Sequence, residues 1–149
     1  MKYLDNALEQ GNMKKSPHVL LIDDDHILCM VIEEMLTKSQ ISITSVSSGQ
    51  KGIKLLRKYP KQFDVIILDR MMPAFSGFDV LRKICLMPEV CDIPIILLTS
   101  HTLNTNADTT VMYSVFEVLQ KPIDANTLIK TINNTIKETR KKTTYSKIE

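Results

Sequence analysis

A buried strand that ends in a carboxylate constrains this chain more than any other feature. The run Phe63-Asp64-Val65-Ile66-Ile67-Leu68 ends in Asp69, turns at once through Arg70-Met71-Met72 and meets Pro73. A short apolar run bounded by polar residues and a proline reads as a strand covered on both faces, which places Asp69 where the strand reaches the surface. Three further runs behave alike. His18-Val19-Leu20-Leu21-Ile22 ends in Asp23-Asp24-Asp25, Ile93-Pro94-Ile95-Ile96-Leu97-Leu98 ends in Thr99-Ser100, and Phe116-Glu117-Val118-Leu119-Gln120 ends in Lys121-Pro122. If the strands are parallel, these ends meet on one edge of a sheet and gather several carboxylates, a hydroxyl and an ammonium.

The segments between the runs supply the covering helices. Leu28, Val31, Ile32, Met35 and Leu36 fall at i, i+3, i+4, i+7 and i+8, the stripe of an amphipathic helix that runs to about Lys38. The stretch 41–46 partly alternates and predicts a less buried strand at a sheet edge. Ser47 or Ser48 then caps a helix through Lys58, with Ile53 and Leu56 inward. A helix from Phe78 to about Met87 presents Phe78, Leu81, Ile84 and Cys85 on one face, and Pro88 stops it. Position in the alternation predicts a fourth helix over 104–114, although its composition is poor for one. Asp124 caps a fifth, whose inward face is Ala125, Leu128, Ile129, Ile132 and Ile136. Five strands alternating with five helices demand a parallel sheet covered on both faces. Residues 1–16 are polar with scattered Leu4, Leu8 and Met13, and read as an N-terminal extension, with a short docked helix as the alternative. Residues 17–140 form the single domain, and 141–149 a polar tail.

Size and composition narrow the class. At 149 residues the chain buries about 70% of its unfolded surface as one domain without disulfide staples. Cys29, Cys85 and Cys91 are odd in number and lack metal-ligand spacing, which favours reduced thiols in a cytoplasmic protein. The longest apolar runs are strand-sized, so neither a membrane span nor a secretory leader is expected. A net charge of +2 gives no case for direct nucleic-acid binding, and Lys137, Arg140, Lys141 and Lys142 read as a solvated helix end.

Asp23, Asp24 and Asp69 brought together would raise one another's pKa values, so the cluster makes sense with a cation in it. A hard, oxygen-seeking ion such as Mg²⁺ fits, because it accepts carboxylates, keeps waters and shares its remaining positions with phosphate. Taken alone, Asp23-Asp24-Asp25 would be an acidic helix start, with Asp25 as the plain cap. Taken alone, Thr99 is an ordinary strand-end hydroxyl and Lys121-Pro122 a solvated lysine before a helix. His18, His26 and His101 lack the spacing of a zinc site.

The aspartates after the first run, Asp69 with Pro73 and Gly77 beyond it, Thr99-Ser100 and Lys121-Pro122, in this order and at these separations, resemble the receiver domain of two-component response regulators, the chemotaxis regulators among them. The resemblance spans roughly residues 17–140. It implies a doubly wound, flavodoxin-like (βα)5 fold of strand order 2-1-3-4-5, with the site at the switch point between the first and third strands. Asp69 matches the phosphoacceptor, Asp23 and Asp24 the metal-binding acidic pair, and the Met71 backbone carbonyl a further ligand to Mg²⁺. Thr99, followed by the small Ser100, matches the hydroxyl that binds the phosphoryl oxygens, and Lys121 the ammonium that pairs with Asp69 and then with the phosphoryl group. The donor implied is a phosphohistidine on a sensor histidine kinase or histidine phosphotransfer protein, and the product is a 4-aspartylphosphate. The chain would thus be a signalling phosphoacceptor that catalyses only its own phosphorylation and dephosphorylation. Its output would be a protein partner on the face made by the fourth helix, fifth strand and fifth helix.

Departures from the family pattern carry expectations of their own. Ser114-Val115 replaces the usual small pair before the fifth strand, and Val118 stands where the switch aromatic is expected. Valine is too short to act as that rotor, so the Thr-, Asn- and Asp-rich stretch 104–111 is the alternative carrier of the switch, by a change of order. By the same alignment Met71 and His101 flank the path of the hydrolytic water, and neither carries a carboxylate or amide to orient it, which predicts slow dephosphorylation. The rival readings are a Mg²⁺-dependent phosphohydrolase or flavin protein on a similar fold, and a degenerate receiver that binds without phosphorylation. Asp69-Arg70-Met71 lacks the hydrolase's second carboxylate, and no Ser/Thr/Gly-rich phosphate loop follows the first strand.

Overall fold

The computed structural model describes residues 16–101, 112 and 114–146. Its elements are β1 (His18–Ile22), α1 (His26–Lys38), β2 (Ser42–Val46), α2 (Gly49–Lys58), β3 (Val65–Asp69), α3 (Gly77–Cys85), β4 (Ile95–Thr99), β5 (Val115–Gln120) and α4 (Ala125–Ser146). The strands form one parallel sheet in the order β2-β1-β3-β4-β5, as expected from the sequence. The predicted helix over 104–114 lies largely outside the described residues, as does the extension over 1–15, so α4 is the fifth helix of the sequence reading.

Period-two alternation divides the central strands between two core layers. Leu20, Ile22, Ile66, Leu68, Ile95 and Leu97 face one side and pack against Ile53 and Leu56 of α2 and Val80, Leu81 and Ile84 of α3. Val19, Leu21, Val65, Ile67, Ile96 and Leu98 face the other, against Cys29, Ile32 and Leu36 of α1 and Leu128, Ile132 and Ile136 of α4. Because both faces are covered, β3 and β4 are buried at every position. The predicted edge strand is β2, which pairs only with β1 and is partly exposed along its length.

Local chemistry fixes the helix ends. Asp25 caps α1 by accepting from Leu28 N–H, and Ser48 caps α2 by accepting from Lys51 N–H. Ser76 and Asp79 form a reciprocal capping box at the start of α3. At the end of α1 the Ile41 N–H reaches Leu36 O, and Gln40 takes φ 59°, the left-handed turn that closes such a terminus.

Three expectations are corrected. The buried stripe of α1 is Cys29, Ile32 and Leu36, and Val31, predicted inward, is exposed. Six consecutive apolar residues, 27–32, leave the helix phase undetermined by pattern, and packing on β1 and α4 selects Cys29. On α3, Val80 is buried and Cys85 is exposed, because the buried stripe centres on Val80, Leu81 and Ile84 and Cys85 falls to its side. The polar tail predicted from 141 is helical to Ser146, its exposed hydroxyls donating back to carbonyls one turn earlier, as in Thr144 to Arg140 O and Ser146 to Lys142 O.

Candidate functional site

The acidic residues lie at the carboxyl ends of β1 and β3, where the crossover to opposite faces of the sheet opens a crevice. Asp23 follows β1 directly, held by its N–H on Val46 O at 3.1 Å, and is 1% exposed. Asp69 is the last residue of β3 and is 4% exposed. Asp24 is exposed beside them, and carboxylate oxygens of the three lie within 4.8 Å of one another. An all-oxygen donor set of this size suits a hard divalent cation such as Mg²⁺ and does not suit a soft metal.

Lys121 reaches into the same crevice from the end of β5. Its Nζ lies 3.1 Å from Asp23 Oδ2 and 3.1 Å from Asp69 Oδ1. The Lys121–Pro122 bond is cis, as the resemblance implies, and Lys121 N–H bonds Thr99 O at 2.8 Å, which ties the two strand ends together. Burial acts first on the Asp69 carboxyl, the Asp23 charge adds to it, and Lys121 only partly opposes them, so its pKa rises to about 6. Burial works to lower the Lys121 ammonium, but Asp23 and Asp69 outweigh it and hold its pKa above the usual lysine range. One cation among three carboxylates leaves the crevice short of positive charge.

The loop after Asp69 is built tightly. Met71 N–H approaches Asp69 Oδ1 at 3.4 Å, and the Met71 side chain is exposed. Ala74 adopts φ 62°, with Phe75 N–H on Pro73 O at 2.7 Å, a three-residue turn that costs an L-residue energy. Gly77 then packs under the site. A Cβ there would stand 2.4 Å from the Asp69 carbonyl oxygen, so no larger residue lets α3 start so close to β3. Arg70 turns away from the crevice, its guanidinium 5.4 Å over the Phe78 ring.

Thr99 is 3% exposed, but its hydroxyl does not touch a carboxylate. Oγ1 donates to His101 O at 2.9 Å and accepts from His101 N–H at 3.2 Å, within the loop that opens after β4. Ser100 is exposed beside it, and Val118 is a half-buried residue of β5 packed against the core. The structure therefore brings Asp23, Asp24, Asp69 and Lys121 into one cluster and leaves Thr99 turned toward its own loop. Sequence reading missed two supporting groups. Cys29 Sγ donates to Asp23 O at 3.5 Å, its thiol pushed up to about 11 by burial and by the Asp23 charge, and Asp25 N–H donates to Asp23 Oδ1 at 2.9 Å. The second was legible in principle, since a carboxylate two residues before an N–H is the spacing of an Asx turn. Met71, two residues past Asp69, carries no carboxylate, so the hydrolase reading lacks its acid.

Residues 19–133 match the family model of the response regulator receiver domain. A two-component response regulator of Oryza sativa subsp. japonica, ORR5, is 30% identical over 117 residues, which cover 78% of this chain and 84% of the relative. Among solved structures, a response regulator receiver domain protein of Clostridium thermocellum superposes with a TM-score of 0.74 at 31% identity, over 83% of this chain and 97% of that one. The receiver domain of the Pseudomonas aeruginosa sensor histidine kinase PA1611, whose structure holds a magnesium ion in the active-site cleft, superposes with a TM-score of 0.73 at 24% identity, over 82% and 98%.

Proposed function

The chain belongs to the response regulator receiver family, and from that premise we propose that Asp69 accepts a phosphoryl group from a phosphohistidine and that the resulting 4-aspartylphosphate controls a protein–protein interaction. The observation that carries this reading is the buried Asp69 carboxylate held 3.1 Å from Lys121 in a cluster with two further carboxylates. An Asp69 oxygen attacks phosphorus, the P–N bond to the donor imidazole breaks, and the imidazole leaves with the electron pair and takes up a proton. Lys121 stays beside the transferred group and neutralises its oxygens. Asp23, Asp24, Asp69 and the Met71 carbonyl would hold Mg²⁺, which supplies further positive charge to those oxygens when bound. Thr99 would exchange its bond to His101 O for one to a phosphoryl oxygen, drawing the β4 loop toward the site.

Incubation with a small phosphodonor and Mg²⁺, followed by intact mass, tests the assignment. One phosphoryl addition is expected, absent when a chelator is present from the start and absent in Asp69→Asn; an adduct that forms under either condition overturns it. Neither Met71 nor His101 carries a carboxylate or amide to orient the hydrolytic water, so Met71→Asn should shorten the adduct's lifetime, read as mass decay after donor removal. An equal or longer lifetime contradicts that role.

The donor proposed is a sensor histidine kinase or a histidine phosphotransfer protein. The output partner would use the face that includes β5 and α4, where a cleft of about 640 Å³ is lined by Phe116, Glu117, Asn126, Ile129 and Lys130 among others. No described helix is long and apolar enough to cross a membrane, and the unpaired Cys29, Cys85 and Cys91 fit a reducing cytoplasm.

A further inference from the structure

We propose that residues 3–10 of this chain dock in a groove at the end of the sheet opposite the acidic crevice. The groove, about 810 Å³, runs between the turn after α1 and the last turns of α4. Its apolar members are Ile41 and Ile136, both already largely covered by the fold, and its outer wall is basic, with Lys137, Arg140 and Lys141 exposed within about one turn of α4. These cations are weakly engaged. Arg140 stands 3.9 Å from Asp64, Lys141 pairs with Glu138 on its own helix at 3.3 Å, and Lys137 has no ion pair among the described residues.

The occupant is fixed by where the chain enters. Ser16 and Pro17 line this groove, and Ser16 Oγ donates to Gln40 O at 2.7 Å, so the preceding fifteen residues begin at its rim. Tyr3-Leu4-Asp5-Asn6-Ala7-Leu8-Glu9-Gln10 carries two acidic residues and no basic one. Leu4 and Leu8 are four apart in sequence, as are Asp5 and Glu9, a spacing that a helical turn would convert into two apolar and two acidic side chains on adjoining faces. Eight helical residues measure about 12 Å, the same rise as from Ile136 to Thr144 on α4. Residues 11–15 can span up to roughly 17 Å, enough to turn back from Ser16. So short a helix is not stable alone; with Ile41 and Ile136 only 4% and 7% exposed, the groove would hold it mainly by the lysines of α4 on its carboxylates, with the leucines closing over the two isoleucines.

Methyl-labelled full-length protein tests this directly. Nuclear Overhauser cross peaks are expected between the methyls of Leu4 or Leu8 and those of Ile41 or Ile136, with relative intensity unchanged on tenfold dilution. Lys137→Glu with Lys141→Glu, both at exposed positions, should reduce them at least tenfold, and adding Asp5→Lys with Glu9→Lys should restore them. Absence of the cross peaks in the natural sequence overturns the proposal, as does their loss on dilution, which would assign the groove to a second copy of the chain. Cross peaks unchanged by the lysine reversals overturn it as well.

Discussion

Asp69 works against the fold that holds it. Its carboxyl is raised from the ordinary 3.8 to about 6 by burial and by Asp23, which means that the folded protein binds this proton more tightly than the unfolded chain. The sign follows from linkage: between about pH 4 and pH 6 the folded state carries more protons, so stability falls as pH rises through that window and levels off above it. In Asp69→Asn the unfavourable charge is gone. Without divalent cation, the variant should therefore be more stable than the natural protein at pH 7, by no more than about 3 kcal/mol for a shift near two pH units. The difference should shrink toward zero near pH 4. Denaturant midpoints across pH 4–7 measure it, and a pH-independent difference would contradict the assigned cause. Lys121 keeps this cost bounded, since it is the one cation that reaches both Asp23 and Asp69 among the described residues.

At the scale of elements, α1 does two separate jobs because it is apolar around most of its first two turns. Cys29 and Ile32 enter the core, while Ile27 and Met30 stay 76% and 69% exposed directly after the acidic residues, and Met71 is 64% exposed two residues past Asp69. Large apolar side chains left exposed on segments that follow the acidic residues are the kind of surface a macromolecule would contact. A protein donor presenting phosphohistidine would contact this surface on its way to Asp69, whereas a small phosphodonor need not touch it. Ile27→Lys with Met30→Lys is thus expected to slow phosphotransfer from a histidine phosphotransfer protein at least tenfold. The rate with a small donor should stay within about twofold. Equal slowing with both donors would show that the substitutions had disturbed the site itself.

At the scale of the whole molecule, a cation held in the crevice would couple to folding. Three carboxylates against one ammonium make the charge-poor crevice a ligand-dependent term in global stability, because a cation that binds the folded form alone stabilises it by RT ln(1 + [L]/Kd). At a hundred times Kd this amounts to about 2.7 kcal/mol. Melting temperature should rise with the logarithm of MgCl2 concentration above Kd, and Asp23→Asn should flatten the rise. Sodium chloride at matched ionic strength controls for screening. A response identical in both proteins would place the ion elsewhere.

What the sequence determined by itself is what depends on short-range pattern. Apolar runs of strand length, each closed by a polar residue, were enough to deduce a parallel sheet, its order by resemblance, and the gathering of Asp23, Asp24, Asp69 and Lys121 at one edge. Strand ends are legible because burial on both faces forbids a charge until the sheet stops. Tertiary structure alone decided which of the six apolar residues from 27 to 32 face inward, since a helix without a polar face can be rotated at no cost in pattern. It also decided that Val80 rather than Cys85 is buried, that Ala74 takes a left-handed turn in the loop after Asp69, and that the Thr99 hydroxyl rests on His101. The helix phases are settled by packing partners far along the chain, whereas the Ala74 turn and the Thr99–His101 bonds are local contacts, each one of several arrangements that the same short sequence allows until the surrounding fold selects it.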